Sequence, residues 1–119
     1  MTLNEYQRLA MRTDSPKYES DMFRLLNGVM GLNGEAGEAI DIVKKKMFQG
    51  HKLDRDKLIE ELGDSLWYLA LCADAMGISL EDIAKKNISK LMLRYPKGFT
   101  AEASIERVDH EEPSGESLL

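Results

Sequence analysis

The sequence predicts an all-α protein, a bundle of four to five helices, on three observations. Apolar residues recur at intervals of three and four through four successive segments, which is the period of a helix face. Each segment opens on a residue suited to capping: Thr2, Ser15, Asp54 and Ser79. No segment alternates apolar and polar residues as a half-buried strand does.

Thr2 and Glu5 form a capping box opening a short helix, Leu3 to about Arg12, with Leu3, Tyr6, Leu9 and Ala10 towards the core. Ser15 as N-cap and Pro16 at the first helical position start a second helix, which runs to about Phe48 with room for a break. Met22, Leu25, Leu26, Val29, Leu32, Ala36, Ile40, Val43 and Met47 make its predicted core stripe, with Glu35 on the border. Gly28, Gly31, Gly34 and Gly37 fall at every third position. They match neither phosphate-binding glycine motif, and no strand precedes them. Each glycine costs a helix about 0.5–1 kcal/mol relative to alanine, so four of them predict a close approach, by a neighbouring helix ahead of a ligand.

Residues 49–53 read as a turn, and Asp54 caps a third helix that continues to Met76 and ends at Gly77. Leu58, Ile59, Leu62, Leu66, Leu69, Ala73 and Met76 are its predicted core stripe, and Glu60, Asp64, Trp67 and Leu71 follow one another on the other side. From Leu66 to Ala73 the helix is apolar all round, which predicts burial on every side. Ser79 and Asp82 open a fourth helix through about Leu93, stopped by Tyr95-Pro96. Lys85, Lys86, Lys90 and Arg94 give it a basic face, and Lys44, Lys45 and Lys46 read as a solvated face of the second helix. Beyond Phe99 no pattern is sustained. Residues 1–100 are thus the expected folded domain, and 101–119 a weakly ordered acidic tail.

A chain of 119 residues, 43% hydrophobic and 31% charged, has the composition of one soluble domain, with no apolar run long enough for a bilayer. The N-terminus lacks the basic start and apolar core of an export signal, so a cytoplasmic location is expected. The single cysteine, Cys72, sits among apolar residues and reads as a core residue. A net charge of −5 argues against binding a nucleic-acid polymer, which needs basic stripes over its phosphates. A small phosphate-bearing ligand is compatible with that charge where metal ions supply the positive side.

The chemistry-bearing stretches are Gly34-Glu35-Ala36-Gly37-Glu38 and Glu60-Glu61-Leu62-Gly63-Asp64. Glu35 and Glu38, and likewise Glu61 and Asp64, stand at i and i+3, one turn apart on one helix face. Two such helices side by side would gather four carboxylates. Clustered acids repel one another and resist desolvation, so a cation is the expected neutraliser. An oxygen-only donor set suits Mg²⁺, Mn²⁺ or Ca²⁺ rather than zinc or copper. The competing reading is a solvated acidic face, or the docking face of a noncatalytic helical interaction module. A ferritin-like di-iron site is disfavoured, because neither His51 nor His110 follows a Glu at the required spacing.

Glu35-x-x-Glu38 and Glu61-x-x-Asp64, separated by 22 residues (39–60) and followed by Lys90 and Arg94-Tyr95-Pro96, resemble the signatures of the MazG-type all-α nucleoside triphosphate pyrophosphohydrolases. The resemblance covers roughly residues 2–99. It implies the all-α NTP pyrophosphatase type of helix bundle. It implies that Glu35, Glu38, Glu61 and Asp64 bind Mg²⁺, with Mn²⁺ as a substitute, and that a nucleoside triphosphate is cut to monophosphate and pyrophosphate. Glu35 or Glu38 would take the proton from water, and Lys90 and Arg94 would meet phosphate oxygens, with Lys44, Lys45 and Lys46 as a second choice behind their reading as a solvated face. It further implies a homodimer or homotetramer. Related enzymes that share the acids, phosphoribosyl-ATP pyrophosphohydrolases and dUTPase-like proteins, are the nearest alternatives. Trp67 lies in an apolar stripe and reads as a core or dimer contact ahead of a platform for a base.

Overall fold

The computed structural model describes residues 1–110, and their fold is all-α, as the sequence predicts. Five helices follow one another: α1 (Leu3–Met11), α2 (Asp21–Phe48), α3 (Arg55–Ala75), α4 (Leu80–Arg94) and α5 (Ala101–Glu106). A single 3-10 turn, Val108–His110, comes after them. The chain divides into two compact units, Met1–Glu81 and Asp82–Leu119.

In the first unit, the expected capping box opens α1: Thr2 Oγ1 accepts from the Glu5 amide at 3.0 Å, and Glu5 Oε2 accepts from the Thr2 amide at 3.1 Å. The start of α2 corrects the sequence reading. Ser15-Pro16 opens no helix; α2 begins five residues after Pro16, where Ser20 accepts from the Phe23 amide at 3.2 Å. The intervening loop is held from both sides by Asp14, which accepts from Tyr18 Oη at 2.7 Å and from Arg24 Nε at 2.8 Å. Arg24 also reaches Asp74 at 2.6 Å, so one guanidinium ties this loop to α3. Beyond Ser20, α2 runs 28 residues without a break.

The third helix is capped by Asp54, whose Oδ1 accepts from the Lys57 amide at 3.1 Å. It ends in a Schellman motif: the Ile78 amide bonds to the Ala73 carbonyl and the Gly77 amide to the Asp74 carbonyl, both at 3.0 Å. Gly77 takes φ +71, a left-handed conformation that a side chain would strain. The buried Gln7 closes the same end. Its Nε2 donates to the Ile78 carbonyl at 3.0 Å and its Oε1 accepts from the Leu80 amide at 2.7 Å, satisfying an otherwise open donor in the first turn of α4.

α3 packs against α2 and α1. Gly28 faces Cys72 and Gly31 faces Tyr68, so α2 and α3 run antiparallel. A Cβ at Gly28 would stand 2.6 Å from Cys72 Sγ, and one at Gly31 would overlap the Tyr68 ring. The close approach expected of the glycines therefore holds for these two. Gly34 and Gly37 have open space where a Cβ would go.

The core gathers on the second half of α3: Ala70, Leu71, Cys72 and Ala73 are buried, together with Ala10 and Leu80, and Leu71 is 0% exposed. Two predicted stripes are thereby corrected. On α2, Met22, Leu26, Val29, Ile40, Val43 and Met47 are exposed, Ile40 at 67%. On α3, Ile59, Leu62 and Met76 are exposed while Leu71, assigned to the opposite side, is inside. Both helices carry apolar residues on more than one face, and the glycines decide which face of α2 meets α3.

In the second unit, Thr100 caps α5 by accepting from the Ala103 amide at 3.1 Å. Part of the segment expected to be a loosely ordered tail is thus helical; residues 111–119 lie outside the described residues. Asp109 accepts a fork from Arg94, Nε to Oδ1 at 2.6 Å and Nη2 to Oδ2 at 2.7 Å, and its side chain is fully buried.

Candidate metal centre

Antiparallel packing brings the two acidic stretches face to face. Glu35, Glu38 and Glu61 each offer a carboxylate oxygen, and these oxygens lie within 4.8 Å of one another. Asp64 stands outside this trio but lines a cavity with Glu35, and its charge acts on the Glu35 carboxyl. Burial grades across the group: Glu38 is exposed, Glu35 half-buried, and Glu61 only 5% exposed. Gly34 and Gly37, one turn apart, line open space beside Glu38.

Oε2 of Glu35 and Oε2 of Glu61 are buried without a donor. Two such oxygens are costly to leave unpaired, and their neighbourhood is electrically one-sided. Lys57 approaches Glu61 at 3.6 Å but is itself exposed. Without a metal the cluster relieves its repulsion by holding a proton. A hydrogen bond shared with Glu61, then burial, then the charges of Glu38, Glu61 and Asp64 push the Glu35 carboxyl up to about 7. Glu38 is raised by the same partner, Glu61. Glu61 is lowered, because Glu35 and Glu38 hydrogen-bond to it and Lys57 lies beside it. A carboxylate flanked by two acids whose own ionisation it disfavours is the arrangement expected where a divalent cation belongs, and the all-oxygen donor set fits Mg²⁺ or Mn²⁺.

Thr13, Glu35, Asp64, Trp67 and Tyr68 line a cavity of about 360 Å³. Trp67 Nε1 donates to Thr13 Oγ1 at 2.8 Å and to the Ala10 carbonyl at 3.1 Å, and its ring meets Tyr68 edge to face with centroids 5.1 Å apart. The indole is therefore fixed beside the acids and half-buried rather than sunk in the core. Sequence reasoning missed Thr13 and Tyr68; a signal for Tyr68 was Gly31 on α2, which makes room for its ring. Cys72 is buried beside Gly28, as expected of a core residue. Lys90 and Arg94 belong to the second unit, where Lys90 is exposed and Arg94 is forked to Asp109. No helix among the described residues is long and apolar enough to cross a membrane.

The family model for the MazG nucleotide pyrophosphohydrolase domain matches residues 25–99, which contain both acidic stretches and Arg94-Tyr95-Pro96. The chain is similar to the Gene 37 protein of Mycobacterium phage L5, 38% identical over 73 residues, covering 58% of this chain and 64% of the phage protein. It is also similar to YvdC of Bacillus subtilis (strain 168), described as an uncharacterized protein, at 44% identity over 41 residues, covering 34% of this chain and 39% of YvdC. The chain thus spans less than two thirds of the length of these relatives. No solved structure matches it significantly.

Proposed function

The chain belongs to the MazG nucleotide pyrophosphohydrolase family, and from that premise we propose that it hydrolyses a nucleoside or deoxynucleoside triphosphate to the monophosphate and pyrophosphate, with Mg²⁺ or Mn²⁺. The observation that carries this reading is the pair of donorless buried oxygens on Glu35 and Glu61, set within one close trio of carboxylates. Glu35, Glu38 and Glu61 would hold the cation, with Asp64 completing the set from the Glu35 side. When bound, a divalent cation neutralises phosphate charge and aligns the reacting groups, which is most of what phosphoryl transfer requires.

The remaining chemistry falls to the side chains. A water oxygen bonds to one phosphorus of the α–β anhydride as the bridging P–O bond breaks, and the electron pair leaves with the departing phosphate group. Glu35 or Glu38 takes the water proton. For Lys90 and Arg94 as phosphate contacts the support is the family pattern, and Arg94 would first have to release Asp109. On this reading the enzyme works in the cytoplasm, where nucleoside triphosphates are present.

We further propose that the enzyme is a homodimer or homotetramer. The support is the outward apolar row of α2, from Met22 to Met47; the apolar stretch Ala70 to Ala73 of α3 is already covered within the chain. The test of the hydrolase is a panel of common NTPs and dNTPs with the products separated. Monophosphate and pyrophosphate from at least one member, lost in EDTA, are expected. Orthophosphate as the main product, or activity undiminished in EDTA, contradicts the proposal.

A further inference from the structure

A cavity of about 580 Å³ opens on the side of the acid cluster away from Trp67, bounded at one end by Glu38 and Glu61. Its other walls carry Lys45, Lys52, Lys57 and His51 beside Asp41 and Asp54. Because α2 and α3 run antiparallel, positions beyond Glu38 on α2 face positions before Glu61 on α3, and these bring Lys45 and Lys57 to the same space. The turn between the helices supplies the rest. Gly50 takes φ +72, and the His51 amide returns to the Lys45 carbonyl at 3.2 Å, which sets His51 and Lys52 on the cavity wall. Lys45 is steadied by Asp41 at 2.9 Å, and Lys57 bridges towards Glu61 at 3.6 Å. Lys45, which the sequence presents on a solvated face, therefore converges with Lys52 and Lys57 on a concave surface adjoining the carboxylates. The opposite side of the cluster is lined by Thr13, Trp67 and Tyr68 and, among the described residues, by no lysine or arginine.

This polarity matches a ligand that is anionic at one end and aromatic at the other. Resting on the hydrolase reading of the acid cluster, we propose that the cavity lined by Lys45, His51, Lys52 and Lys57 seats the terminal diphosphate of the nucleoside triphosphate. The substrate then lies along the α2–α3 seam with its nucleoside towards Trp67. The α–β anhydride falls over Glu35, Glu38 and Glu61, and the pyrophosphate formed remains beside the lysines of the cavity until it is released. The lysines act as point charges on phosphate oxygens, with the flexibility to follow the leaving group.

Calorimetric titration of the full chain with inorganic pyrophosphate at fixed Mg²⁺ tests this, comparing wild type with Lys52→Ala, Lys52→Arg and the double variant Lys45→Ala/Lys52→Ala. We expect pyrophosphate binding about tenfold weaker in Lys52→Ala, weaker again in the double variant and largely restored in Lys52→Arg. Binding of a nucleoside monophosphate and the melting temperature should stay at wild-type values. No pyrophosphate binding by the wild type, an affinity in Lys52→Ala within about twofold of wild type, or an equal loss of monophosphate binding overturns the subsite. The two readings fail separately. Wild type that cleaves no triphosphate yet binds Mg²⁺-pyrophosphate through Lys52 refutes the hydrolase and keeps the subsite; wild type that turns over while the lysine variants bind pyrophosphate unchanged does the reverse.

Discussion

Glu61 is the residue on which the centre turns, since it is buried, lowered in pKa by its neighbours and short of one donor. Its environment fixes the sign of a pH effect in the metal-free protein. Glu35 is raised to about 7 from an ordinary value near 4.5, so the folded state holds that proton more tightly than the unfolded chain. Its contribution to stability is complete below about pH 4.5 and is lost as pH rises through about 7. The lowered Glu61 acts in the opposite sense, but below pH 4.5, outside this window. The metal-free melting temperature should therefore fall between pH 5 and pH 8 by more in wild type than in Glu35→Gln, and millimolar Mg²⁺ should flatten the wild-type slope; melting curves in EDTA and in Mg²⁺ check this. Equal slopes in the two proteins would contradict it. Glu35, Glu38 and Glu61 were legible in the sequence because i, i+3 spacing is a property of one helix. Which of the four acids would sit closest depends on how two helices pack, and that places Asp64 outside the trio.

Helix by helix, the glycines of α2 do two jobs, and substitutions separate them. Gly28→Ala should destabilise by about 1–3 kcal/mol, because the new methyl meets Cys72 and the helices must part. Gly34→Ala meets nothing and should stabilise the helix by about 0.5–1 kcal/mol. Chemical denaturation of both variants measures the difference, and a loss of stability in Gly34→Ala would contradict it. The elements themselves were largely readable, since α1 and α3 open at their expected caps and α4 and the end of α2 fall close to where the sequence puts them. The start of α2 was not: Ser15-Pro16 is a valid local signal, but Asp14 is drawn into the Arg24 pair and Ser20 caps instead. Nor was the buried face of α2, because apolar residues lie on both sides of it and their period alone cannot choose. The lysines of the cavity were hidden for a related reason: charged residues on a helix default to solvent, and only the antiparallel packing and the turn at Gly50 bring Lys45, Lys52 and Lys57 to one space.

Taken as a single chain, the protein leaves an apolar row along α2 uncovered, with Ile40 67% and Met47 66% exposed. Patches of this kind on soluble proteins mark interfaces, so light scattering should give at least a dimer at micromolar concentration, and Ile40→Glu should shift it towards monomer. A monomeric wild type would contradict this. The central claim is narrower: three carboxylates from two helices form one divalent-cation site, and that site performs the hydrolysis. Its most direct test is Mn²⁺ binding and triphosphate turnover measured on the same preparations of wild type and Glu61→Gln, with helicity confirmed for both. The account predicts saturable Mn²⁺ binding by wild type, binding lost and turnover reduced by about 100-fold or more in Glu61→Gln, and equal helicity. A folded Glu61→Gln protein that turns over at the wild-type rate would contradict it.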